Sequence, residues 1–209
     1  MHSLVLLLVV ASIAAGRQSQ SPSIGDLVEK FRPGGVKIEA IVSVDPSTNA
    51  KTKSPAVATG QLEKTGGRYL AFIYSKLKCP SESGCLMLRV VQDPEGKALA
   101  LDQSISGTFL WMQDFKTNGF QIIDLNGDGV DEIVTITSEG ASLGAELNIF
   151  AVREGSLVSI LGKLNGYAVD GYKFEFQQDS GKYAIVVYGK DGNQSQTLRW
   201  NGREFRGAW

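Results

Sequence analysis

Histidine is nearly missing from this 209-residue chain: the single one is His2, inside an apolar N-terminal stretch. If that stretch is removed, no imidazole remains. Ser-His-Asp and Cys-His mechanisms and zinc-hydrolase centres are then excluded, because each draws its general base or its ligands from imidazole. Cysteine is almost as scarce, with only Cys79 and Cys85, and two thiols without further partners do not make a zinc site. A surplus of either charge is also lacking. Twenty-one Lys and Arg against 22 Asp and Glu leave a formal net charge of −1, and a nucleic-acid binder normally carries a basic excess. No P-loop, G-x-G-x-x-G or G-x-S-x-G pattern occurs. No apolar run reaches the roughly 20 residues that span a bilayer as a helix, so no stable membrane insertion is expected.

What is present begins with the run from Leu4 to Ala15, which ends in the small residues Ala14, Ala15 and Gly16. A short apolar core before small residues reads as a secretory signal peptide over 1–16, placing the mature chain in the periplasm or outside the cell. Residues 17–35 read as a polar tether followed by a short helix around Asp26 to Phe31, stopped at Pro33-Gly34-Gly35. In an exported chain Cys79 and Cys85, which bracket Pro-Ser-Glu-Ser-Gly, are expected to close a disulfide across a hairpin loop; two free thiols are the alternative.

Residues 36–209 read as one all-β domain. Twenty-four glycines and few helix-favouring runs suit a chain of many turns. Val36 to Val44 alternates as a strand, and Asp45 to Pro55 reads as a polar loop. Three runs, Arg68 to Ser75, Glu132 to Ser138 and Lys182 to Gly189, each precede a loop and then a hairpin with a turn glycine, Gly96, Gly155 and Gly202; the first and last are rich in apolar residues. Their spacing of roughly 50–60 residues is that of repeated antiparallel four-stranded units. Such units, after a short N-terminal helix, would form an incomplete β-propeller-like array or, alternatively, a β-sandwich. Asn193-Gln194-Ser195 matches the N-glycosylation pattern, which matters only in a eukaryotic secretory host.

The most informative stretch is Asp124-Leu125-Asn126-Gly127-Asp128-Gly129-Val130-Asp131-Glu132. Oxygen-bearing side chains fall on alternate residues, Asp124, Asn126 and Asp128, so a tightly curled loop turns all three toward one centre. Gly129 follows at the sixth position, where the chain must bend sharply. The carbonyl of Val130 and the carboxylate of Glu132 complete an oxygen set that suits Ca²⁺, and without a cation the three carboxylates would repel one another. An EF-hand is excluded because the twelfth position is Thr135 and the flanks, Phe120 to Ile123 and Ile133 to Ile136, read as strands. The remaining alternative is a hydrophilic hairpin turn, since Asn-Gly and Asp-Gly are ordinary turn dipeptides. Asp131, at the eighth position, is expected to point away from the centre.

A strand–loop–strand carrying D-x-N-x-D-G-x-x-E resembles the calcium loop of FG-GAP/VCBS-type repeats, found in integrin α-chain-like β-propellers and in many secreted bacterial proteins. The resemblance implies Ca²⁺ held by Asp124, Asn126, Asp128, Val130 through its carbonyl, and Glu132. It also implies a binding or structural role toward an extracellular or envelope protein or glycan. The rival expectation is a secreted carboxylate-based hydrolase acting on glycans, which needs no histidine but does need two carboxylates in one cleft.

Overall fold

The computed structural model describes residues 23–44, 51–76, 86–92, 99–105, 109–110, 119–138, 144–162 and 169–208. The predicted signal peptide and the Cys79/Cys85 pair lie outside them. The chain divides into two compact units, Met1–Arg32 and Pro33–Trp209. The first contains α1 (Ile24–Phe31), which starts where its sequence supplies a cap. The Ser23 hydroxyl accepts from the Asp26 N–H at 3.2 Å, and Asp26 accepts from the Ser23 N–H at 3.1 Å. Together they satisfy two donors that a helix start leaves open. Among the described residues no helix is long and apolar enough to cross a membrane.

The second unit is built from strands. In chain order they are β1 (Val36–Ile38), β2 (Ala40–Val44), β3 (Lys51–Pro55), β4 (Val57–Gly60), β5 (Tyr69–Lys76), β6 (Leu86–Gln92), β7 (Leu99–Ile105), β8 (Phe109–Leu110), β9 (Phe120–Ile123), β10 (Glu132–Ser138), β11 (Ala145–Arg153), β12 (Ser156–Ser159), β13 (Val169–Gly171), β14 (Lys173–Asp179), β15 (Lys182–Tyr188), β16 (Gln194–Trp200) and β17 (Phe205–Ala208). All their pairings are antiparallel, and they make three main sheets and one two-stranded hairpin among the described residues. The protein is therefore all-β with a short N-terminal helix, and among the described residues its sheets do not close into a barrel.

The three sheets share one plan. In the first, β5 pairs with β6 on one edge and with β4 and then β1 along the other, and β7 follows β6. In the second, β10 pairs with β11 on one edge and with β9 and then β8 on the other; β12 and β13 lie end to end along the far edge of β11. The third is the plain meander β14-β15-β16-β17. Each is thus four strands wide, with an apolar run, β5, β10 or β15, in the second place.

Side chains alternate across a strand, so the middle sheet buries both faces. Val134, Ile136, Leu147 and Ile149 pack toward the third sheet with Ile185, Val187, Leu198 and Phe205. Ile133, Phe120, Phe150 and Val152 pack toward the first sheet with Tyr69, Ile73, Leu88 and Val90. Complete burial of side chains this size stabilises the fold by about 1.5–3 kcal/mol each. The second and third sheets are also joined by a parallel bridge, Leu161 to Phe205, where the Phe205 N–H donates to the Ile160 carbonyl at 2.8 Å.

Two details differ from the sequence reading. Val36 to Val44 is two strands, not one. At Glu39 the chain leaves the edge of β5; the Ala56 N–H donates to the Glu39 carbonyl at 2.8 Å and the Ile73 N–H to the Ala56 carbonyl at 3.0 Å, so Ala56 continues the edge that β1 began. The antiparallel pair of β2 and β3 departs from that edge, and 51–55, read as loop, are the exposed strand β3.

Candidate functional site

The eight residues 124–131 join β9 to β10, closed below by the Ile123–Glu132 pair of the ladder. Inside this hairpin the side-chain oxygens turn toward backbone N–H groups of the loop. Asp124 Oδ1 accepts from the N–H groups of Gly127 at 2.8 Å and Asp128 at 3.3 Å, and its Oδ2 accepts from Gly129 at 2.9 Å. Asn126 Oδ1 accepts from the Asp128 N–H, and Asp128 Oδ1 from the Val130 N–H, both at 2.9 Å. Left-handed backbone at Gly127 (φ 76°) and Gly129 (φ 82°) lets four successive N–H groups face the interior of the curl.

Glu132 closes the loop from beneath. It is only 2% exposed. Its Oε2 accepts from the Leu125 N–H at 2.8 Å and its Oε1 from Asn126 Nδ2 at 2.6 Å. Burial, and then repulsion from Asp128 and Asp124, push its carboxyl up to about 7 against the hydrogen bond from Leu125, which pulls it down. Among the described residues no ion pair reaches Asp124, Asp128 or Glu132. The loop is therefore an acidic knot whose carboxylates make no ion pair among the described residues.

The oxygens are turned to backbone donors rather than to a common point. Among the described residues, no three His, Cys, Asp or Glu side chains converge closely enough to hold an ion by themselves. The chemistry of the donor set nevertheless fits a hard cation: carboxylate and amide oxygens, with no nitrogen or sulfur ligand. Each oxygen holding one N–H keeps a further lone pair.

Three residues that ligand spacing does not single out anchor the loop to its neighbours. Asp131 faces outward, as expected, but it is not idle. Its N–H donates to the Gln61 carbonyl and its Oδ2 accepts from the Gln61 N–H, both at 2.8 Å, which ties the loop to the β4–β5 connection of the first sheet. Gly60 permits this approach, since a Cβ there would stand 2.7 Å from Asp131 Oδ2 and 2.3 Å from Ile122 Cγ2. On the other side the fully buried Leu125 accepts from the Tyr183 N–H of β15 through its carbonyl, at 2.8 Å. The available sequence signal was Leu125, one of two apolar residues, with Val130, in a loop of Asp, Asn and Gly.

No protein-family model, curated protein or solved structure matches this chain.

Proposed function

We propose that the protein is an exported calcium-binding β-domain of the FG-GAP/VCBS-like kind, with a binding or structural role at the cell envelope or outside the cell. The observation that carries this reading is the loop itself: Asp124, Asn126 and Asp128 turned inward over a buried Glu132, with no ion pair to the three carboxylates among the described residues. A divalent ion bound there would offset that repulsion. Asp124, Asn126, Asp128, the Val130 carbonyl and Glu132 are the residues that would hold it. The ion's contribution is charge and coordination, and no reaction is assigned to it. Ca²⁺ is favoured over Mg²⁺ because it accepts flexible sets of six to eight oxygens, whereas Mg²⁺ demands a tight octahedron.

A binding role is preferred to glycan hydrolysis because of how the other acids are used. A general acid of a glycosidase is a carboxyl held above its ordinary range. Here Asp102 is paired with Arg89, Glu175 with Lys173 and Glu204 with Arg206, and Glu175 is held below the ordinary range, first by its bond with Lys173. The raised carboxyl among the described groups belongs to the loop. The partner would be an extracellular or envelope protein or glycan.

Titration calorimetry with CaCl₂ and then MgCl₂ tests the proposal. Ca²⁺ is expected to bind one site per chain, with Mg²⁺ weaker, and Asp128→Ala is expected to remove the Ca²⁺ heat. A full-sized Ca²⁺ heat in Asp128→Ala would place the site elsewhere.

A further inference from the structure

The contacts of residues 125 and 131 give the loop a second property. Ligand positions and docking positions alternate along it: Asp124, Asn126 and Asp128 face inward, whereas Leu125 and Asp131 are bonded to different sheets. Asp131 lies between Val130 and Glu132, both members of the proposed oxygen set. It makes two bonds of fixed direction with Gln61, one through its own N–H and one through its carboxylate. The second is charge-assisted and so stronger than an ordinary amide pair. It sits where Gly60 brings the backbone of β4 against the middle sheet. On the opposite side the Leu125 carbonyl holds the start of β15, and Gly127 lies so close to Gly181 that a Cβ would come within 2.6 Å of its carbonyl oxygen.

From this geometry we propose that the loop is a joint: occupancy by the cation is transmitted to the first sheet through Asp131 and to the third sheet through the Leu125 carbonyl. This rests on the cation reading above. Drawing Val130 and Glu132 onto an ion fixes the backbone on both sides of Asp131, and hence the paired bonds to Gln61. Asp131 is thus a positioning residue, touching no ion, whose loss uncouples one sheet and spares the other.

Site-resolved amide hydrogen exchange, with CaCl₂ or with a chelator, separates the two routes. In the unaltered chain Ca²⁺ is expected to slow exchange at Gln61, bonded to the Asp131 carboxylate, by about tenfold or more, and at Tyr183, bonded to the neutral Leu125 carbonyl, by about two- to tenfold. In Asp131→Ala, slowing at Tyr183 and the calorimetric Ca²⁺ heat should persist, while slowing at Gln61 should fall below about twofold. Asp131→Asn, which keeps an acceptor but not its charge, should give an intermediate value at Gln61, and it carries the test if the alanine variant does not fold. Equal Ca²⁺-dependent slowing at Gln61 in the unaltered chain and in the variants, with Ca²⁺ still bound, would overturn the joint and leave the site standing. Absence of a Ca²⁺ heat in the unaltered chain would overturn the site and the joint together.

Discussion

Gly127 and Gly129 both hold left-handed backbone in the loop, but only one of them is crowded. A Cβ at Gly129 would meet nothing within 4 Å, so Gly129→Ala suffers only the conformational cost, about 1–2 kcal/mol. A Cβ at Gly127 would also press on the Gly181 backbone oxygen, which cannot swing away as a side chain can. Gly127→Ala is therefore expected to lose about 1–3 kcal/mol more than Gly129→Ala in urea unfolding. Equal losses would mean that the β14–β15 turn does not bear on the loop. Glu132 makes a pH prediction for protein kept in chelator. Its folded carboxyl is raised from 4.5 to about 7. Below the ordinary value both states are protonated and no difference arises. Between that value and about 7 the folded chain keeps a proton that the unfolded chain has released, so stability falls as pH rises. Full loss, on the order of 3 kcal/mol, is reached above about 7, because a buried carboxyl must then ionise. Glu132→Gln should flatten this slope in pH-dependent unfolding; an unchanged slope would place its origin in another group.

At the scale of elements, β10 is buried along its whole length, and it includes two hydroxyls with no hydrogen-bond partner, Thr135 Oγ1 and Thr137 Oγ1. Both lie on the face toward the first sheet. An unsatisfied buried hydroxyl costs about 1–3 kcal/mol, and valine has nearly the same shape. Thr135→Val is therefore expected to raise stability by about 1 kcal/mol in denaturant unfolding. A loss of stability would show that the hydroxyl is bonded, through an internal water for instance. The second-place strands were the most legible elements, β5 and β15 from near-continuous apolar runs and β10 from its β-branched Ile133-Val134-Thr135-Ile136. The hairpins turning at Gly155 and Gly202 were legible from their turn residues. Other elements were not. Lys51-Thr52-Lys53-Ser54-Pro55 has no buried face to impose alternation, and its pairing with β2 is visible only in three dimensions. The break at Glu39 depends on Ala56 taking over the edge of β5, a contact that leaves no local mark. β8 and β13 are two or three residues long and are defined by the strands they flank. Within the loop, the alternation of Asp124, Asn126 and Asp128 was legible, but not that backbone N–H groups would take up their oxygens. The docking role of Asp131 was not, because its partner Gln61 is 70 residues away.

At the scale of the whole β-domain, three similar sheets stack with the loop in the middle one. The outer face of the third sheet is polar: Lys173 pairs with Glu175 at 2.7 Å, and the Tyr188 hydroxyl donates to Glu175 at 2.8 Å. A face of this kind is suited to water. The position of the loop, bonded to both flanking sheets, means that whatever steadies it steadies all three. The measurement that bears most directly on this account is scanning calorimetry of the full β-domain, with Ca²⁺ and with a chelator, in the unaltered chain and in Asp128→Ala. At free Ca²⁺ a hundred times the dissociation constant, the bound ion adds about 2.7 kcal/mol, or about 5–10 °C in Tm for a chain of this size. The account predicts that shift in the unaltered chain, as one cooperative transition, and none in Asp128→Ala. The same shift in both proteins, or no shift in either, would contradict it.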